Sequence, residues 1–156
     1  MAAILIAPMP DPNRQRGEAV LGSPPFELHP RLAADTAFVA DWALSRLLLM
    51  NDARFPWLVL VPRRAALGEL HDLAEPDRVL MIEEIARTSA GLKRLTGATK
   101  MNVGALGNIV PQLHVHVVAR NPADPVWPAP VWGQGTPRPY GAGAADALIG
   151  ALRADL

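Results

Sequence analysis

The chain has 156 residues, half of them hydrophobic and 19% charged, with fifteen basic and fifteen acidic residues in balance. That suits one soluble globular domain with a real core and excludes an extensively disordered chain. Without a basic block, a nucleic-acid backbone is not an expected partner. Cysteine is absent, which excludes a disulfide scaffold and thiolate zinc sites and fits a cytoplasmic location.

Residues 1–25 are rich in Pro, Gly and Arg and show no sustained period, so they read as a flexible leader. Met1 to Met9 is apolar but lacks an early basic residue and soon meets Pro10 and Pro12, which argues against a signal peptide. No apolar run approaches the roughly 20 residues of a membrane helix, so no membrane association is expected. The folded domain is expected from Phe26 to the C-terminus.

Leu44 to Met50 and Trp57 to Val61 are dense apolar runs separated by Asn51-Asp52-Ala53-Arg54-Phe55-Pro56. Asn, Asp and Pro favour turns, so a β-hairpin closed by Pro62 is expected. Pro76 suits a first helical turn. Beyond it Val79, Ile82, Ile85, Ala86, Ser89, Leu92 and Leu95 recur at helical spacing, predicting a main helix that ends near Gly97. Lys100 to Ala105 reads as another strand, followed by a turn at Gly107-Asn108. Residues 121–143 hold many Pro and Gly with Trp127, Trp132 and Tyr140, and read as a long loop. The tryptophans either line a site or pack the tail. Ala144 to Leu152 reads as a closing helix. Strands joined by short turns, with a helix on one face, predict an antiparallel α+β domain.

The chemistry concentrates in Gln112-Leu113-His114-Val115-His116-Val117-Val118. A strand alternates its faces, so Gln112, His114 and His116 are expected on one face and Leu113, Val115 and Val117 in the core. Two imidazoles about 7 Å apart along a strand can bind a metal, handle a proton or accept a phosphoryl group. His-X-His supplies only two ligands where zinc wants three or four. His29, His71 or an Asp could complete a set, but no spacing points to one.

This run resembles the histidine-triad motif of the HIT superfamily of nucleotide hydrolases and transferases, with Gln112 where the first histidine is usual. The resemblance extends to Leu49 through Pro62, which is similar to the family's first hairpin, to Glu69-Leu70-His71-Asp72-Leu73 before the main helix, and to Asn102-Val103-Gly104 and Gly107-Asn108 before the motif. It implies a HIT-like fold and a homodimer whose two sheets join. It further implies that His114 attacks the α-phosphorus of a nucleotide, giving a covalent nucleotidyl-His114 that water or another acceptor resolves. A backbone carbonyl near His116 would hold the nucleophile's tautomer, and His116 would touch the transferring phosphoryl group. Asn51 matches a ribose-contacting position, although Asn51 and Asp52 also suit the turn. Asn102, Gly107 and Asn108 fall where the family contacts phosphates. No catalytic role is carried onto His71.

Dinucleoside polyphosphates and nucleoside phosphoramidates, adenosine-containing by default, are the implied substrates. No cofactor is required, and Mg²⁺ on the substrate phosphates is compatible. Gln is neutral and cannot protonate a leaving group, though its amide can still donate a hydrogen bond. Two alternatives therefore stand beside the enzyme: a nucleotide-binding sensor with weak turnover, and a metal-dependent hydrolase using His114 and His116.

Overall fold

A computed structural model describes residues 25–156, so the expected leader lies outside the described residues apart from Pro25. The elements are α1 (Pro30–Asp35), β1 (Thr36–Asp41), β2 (Ser45–Met50), β3 (Trp57–Pro62), α2 (Glu75–Thr96), β4 (Lys100–Gly104), β5 (Val115–Arg120) and α3 (Ala144–Asp155). The five strands form one antiparallel sheet in the order β1-β2-β3-β5-β4. This is the expected α+β arrangement, and the hairpin, main helix and closing helix fall where the sequence puts them, while the histidine strand begins at Val115 instead of Gln112.

The central strands are apolar on both sides because both faces of the sheet are covered. On one face Leu47, Leu49, Leu58, Leu60, Val115, Val117 and Ala119 pack against Met81 and Leu92 of α2 and Ile149 and Leu152 of α3. On the other, Leu48, Trp57, Val59, Val61 and Val118 pack against Leu32 of α1 and against Phe55, Val110 and Val131. Since Val59 pairs with His116 and Trp57 with Val118, His116 belongs to this second face. The site is therefore built on the side covered by α1 and the C-terminal segment.

The main helix ends as expected, with Gly97 in the left-handed region at φ 64°. Its buried face differs from the apolar stripe. Met81, Glu84, Thr88, Gly91 and Leu92 face inward, while Val79 and Ile82 are each 61% exposed. The reason is polar. The Glu84 carboxylate accepts hydrogen bonds from the backbone N–H groups of Leu44 and Ser45 at 2.9 and 3.0 Å, closing the β1–β2 turn. Thr88 Oγ1 donates to the Glu84 carbonyl. With these partners a charged side chain sits in the core without an unpaired group.

α1 and β1 have no counterpart in the sequence reading. β1 is an edge strand with an irregular register between Phe38 and Ala40 and one buried side chain, Val39, so it lacks a clean alternation. The 121–143 segment contains no helix or strand but is pinned by the β2–β3 turn. Ala53 N–H donates to the Arg138 carbonyl, Arg138 N–H to Asp52, Tyr140 N–H to Asn51 Oδ1, and Arg54 Nη1 to the Gln134 carbonyl. These bonds hold Val131 and Trp132 over the second face of the sheet. Among the described residues no helix is long and apolar enough to cross a membrane.

Candidate active site

His114 and His116 meet at the end of β5, their ring centroids 4.8 Å apart and nearly perpendicular, at 82°. His116 is within the strand, paired with Val59 and Gly104, whereas His114 lies one residue before it. Both rings are buried to 6% exposure. They close one end of a cleft of about 460 Å³ whose other walls are Arg31, Leu32 and Asp35 of α1, Met50 of β2, the Leu106–Val110 segment, Trp132 and Gly133.

Each histidine has one ring nitrogen committed to the protein, and the two commitments are opposite. His114 Nδ1 lies 2.7 Å from the carbonyl oxygen of Gln112. A carbonyl only accepts, so Nδ1 carries the proton and Nε2 keeps a free lone pair. His116 Nδ1 accepts the indole N–H of Trp57 at 3.0 Å. An indole only donates, so the proton of neutral His116 sits on Nε2. One ring thus offers a nucleophile and its neighbour a hydrogen-bond donor. The carbonyl that fixes the His114 tautomer belongs to Gln112, two residues upstream, instead of a residue near His116.

Burial, and secondarily the neighbouring His114, lowers the His116 pKa from 6.5 to about 3. His116 is therefore neutral at physiological pH, with its Nε2–H free to donate. Between those values the unfolded chain binds a proton that the folded chain refuses. Stability is therefore full above about pH 6.5 and falls as pH drops towards 3, by up to about 5 kcal/mol across the window. Denaturant unfolding at pH 7, 5 and 4 should show this loss in the wild type and a shallower one in His116→Gln. Equal slopes in both proteins would contradict it.

The HIT domain family model matches residues 31–123, from α1 to just past β5. The chain belongs to the HIT family. A histidine triad protein from Sinorhizobium meliloti 1021 is 44% identical over 84% of this chain and 97% of its own, with a TM-score of 0.82. One from Bradyrhizobium japonicum is 45% identical over 85% and 98%, with a TM-score of 0.83. One from Marinobacter aquaeolei VT8 is 42% identical over 85% and 97%, also with a TM-score of 0.83. Comparison with curated protein sequences yields no match.

In this HIT protein the candidate residues divide. His114, His116, Gly107 and Asn108 share the cleft, with Gly107 at φ 72° turning the chain at its rim. Gln112 does not line it. Strand pairing begins only at Val115, so the expected alternation does not extend back to residue 112, and the Gln112 amide reaches the N-terminal segment. Its Nε2 donates to the Glu27 carbonyl at 2.8 Å and its Oε1 accepts from His29 N–H at 2.9 Å. Asn102 is also outside the cleft. Its Oδ1 accepts from Arg120 Nη1 at 2.8 Å, satisfying a guanidinium that is 1% exposed. Asn51 follows Met50 of the cleft wall, but its Oδ1 accepts from Tyr140 N–H and holds the C-terminal segment. Gly104 makes room for protein, since a Cβ there would stand 3.3 Å from the Trp132 ring.

Trp57, Trp132 and the α1 wall complete the site. Trp57 sits edge-on to His116 with centroids 5.3 Å apart, and Trp132 packs 6.0 Å from the same ring. Of the two tryptophans left open, Trp132 lines the cleft, whereas Trp127 is 38% exposed and stands 5.8 Å over Arg120. The register Trp57↔Val118 and Val59↔His116 is what brings Trp57 to the histidine, and only the pairing reveals it. Among the described residues no group of three or more His, Cys, Asp or Glu converges to hold a metal ion. His29 instead caps α1, its Nδ1 accepting from Arg31 N–H, and His71 is on the surface with its side chain 83% exposed.

Proposed function

We propose that this HIT protein is a nucleotide hydrolase or transferase acting at a nucleoside α-phosphate, with a dinucleoside polyphosphate or a nucleoside phosphoramidate as substrate. The supporting observation is the Gln112 carbonyl on His114 Nδ1, which leaves the Nε2 lone pair to attack. In the first step an Nε2–P bond forms and the P–O or P–N bond to the leaving group breaks, the leaving group departing with the bonding pair and, where it is an amine, carrying a proton taken from solvent. In the second, water attacks phosphorus and gives a proton to solvent, the N–P bond breaks with its pair returning to Nε2, and the nucleoside monophosphate leaves with His114 restored. His116 Nε2–H, with Asn108 and backbone N–H groups at the Gly107 turn, donates to the phosphoryl oxygens as charge builds there. No step needs a metal, and Mg²⁺ would arrive only on the substrate phosphates.

The test is AMP release from a diadenosine polyphosphate and from adenosine 5′-phosphoramidate, each with and without chelator. Chelator-resistant turnover of either is expected. Turnover abolished by chelator would favour a metal-dependent hydrolase.

One observation favours a second reading. Neither Gln112, engaged with backbone, nor His116, held neutral, offers a leaving group an acidic proton. A nucleotide-binding sensor with slow turnover fits that. Tight AMP binding without product release would distinguish it.

We also propose a homodimer. β4 is an edge strand whose Val103 is 46% exposed, and α2 leaves Val79 and Ile82 on its surface. Among the described residues no strand pairs with the outer edge of β4, and an open edge beside exposed apolar side chains invites pairing. Light scattering should give twice the chain mass for the wild type and a lower mass for Val103→Lys. A monomeric wild type would contradict the dimer.

A further inference from the structure

We propose that Gln112 is a positioning residue that seats the α1 wall of the cleft against the nucleoside part of the substrate. This rests on the nucleotide reading of the cleft. The Gln112 side chain bridges residues 83 and 85 positions away in sequence, and it binds them as a strand partner would. Its amide receives His29 N–H on one end and gives N–H to the Glu27 carbonyl on the other. That pairing needs one donor and one acceptor on the same planar group, which a carboxylate cannot supply.

The clamped segment leads directly into α1. His29 caps the helix, its Nδ1 accepting from Arg31 N–H at 3.1 Å and its carbonyl from Ala33 N–H at 3.0 Å. α1 is six residues long, far below the length at which a helix holds itself in water. Its position depends on its anchors. At its far end the Asp35 carbonyl accepts from Asn51 N–H and Thr36 Oγ1 donates to the Leu32 carbonyl. At its near end Gln112 supplies the side-chain hydrogen bonds, beside the apolar packing of Phe26, Leu28 and Leu32. Between them lie Arg31, Leu32 and Asp35, which line the cleft.

Residue 112 thus serves both sides of the site through different atoms. Its carbonyl sets the His114 tautomer, and its side chain sets the wall that the nucleoside meets. A side-chain substitution leaves the carbonyl in place, so the chemistry at phosphorus persists while substrate binding weakens. Gln112→Ala and Gln112→Glu should raise KM for adenosine 5′-phosphoramidate about tenfold, the scale of two lost hydrogen bonds, with kcat changed less than about threefold. Gln112→Glu is the sharper probe, because it keeps shape and sets a carboxylate against the Glu27 carbonyl. Amide exchange in residues 25–35 should accelerate in both variants, with β5 and α2 unaffected.

A fall in kcat of about a hundredfold at unchanged KM would overturn the proposal and place the side chain in the chemistry. Unchanged exchange in residues 25–35 would overturn it as well. If the wild type turns over nothing, the same variants are measured by AMP binding. Weaker binding with faster exchange then upholds the clamp although the enzyme reading has failed, and unchanged binding overturns the clamp too.

Discussion

His114→Ala is expected to lower turnover of a nucleoside phosphoramidate by about 10⁴-fold or more, because the group proposed to form the covalent bond is gone. The expectation rests on geometry. Nδ1 is engaged by the Gln112 carbonyl at 2.7 Å, and His116 cannot substitute as nucleophile. Its own Nδ1 is engaged by Trp57 and its Nε2 carries the proton. His116→Ala removes the proposed hydrogen bond to the developing charge and should cost less, about 10²- to 10³-fold. AMP affinity should survive in His114→Ala, since Leu32, Met50 and Val110 still wall the cleft. Steady-state kinetics with circular dichroism as a folding control makes the comparison. Equal losses in both histidine variants would point to a shared structural or metal-binding role instead.

Asp124→Ala should be the most destabilising of the single substitutions named here. Arg120 ends β5 with its side chain 1% exposed, and Asp124, itself 9% exposed, accepts from its Nε at 2.8 Å and Nη2 at 3.1 Å. Removing the carboxylate leaves a buried guanidinium without its counter-charge, at a cost of about 3–5 kcal/mol. The remaining bonds, to Asn102 Oδ1 and the Ala129 carbonyl, satisfy N–H groups but not charge. A fall in Tm of about 10 °C or more is expected by calorimetry. Arg94 and Asp155 form an equally short pair at 2.7 Å on the surface. Asp155→Ala should cost less than about 1 kcal/mol, because solvent screens that pair. Similar Tm changes in the two variants would mean that Arg120 is reached by water.

This pair also shows where sequence reading stops. His114 and His116 were legible because alternation brings residues two apart together whatever surrounds them. The β2–β3 hairpin and the Pro76–Gly97 limits of the main helix were legible because turn formers and helix-end residues act locally. Asn102 was not. Its phosphate-binding assignment assumed a free side chain, and the partner that engages it is eighteen residues away on the neighbouring strand. Gln112 was hidden likewise, its amide committed to the Glu27–His29 backbone, and so was the Asn51 Oδ1 bond to Tyr140 N–H. The buried face of α2 escaped because an apolar stripe carries no sign that Glu84 has two backbone N–H groups waiting at the β1–β2 turn. α1 and Trp57 became part of the site only through tertiary pairing. Residue types gave the chemistry, and the engagement of each polar side chain decided which of them were available for it.

The most direct measurement is rapid-quench mass spectrometry of the wild type mixed with adenosine 5′-phosphoramidate. Covalent catalysis predicts an adenylyl group on the peptide containing His114, appearing before AMP and absent in His114→Ala. Steady AMP release with no adduct at any time, or an adduct on another residue, would contradict it.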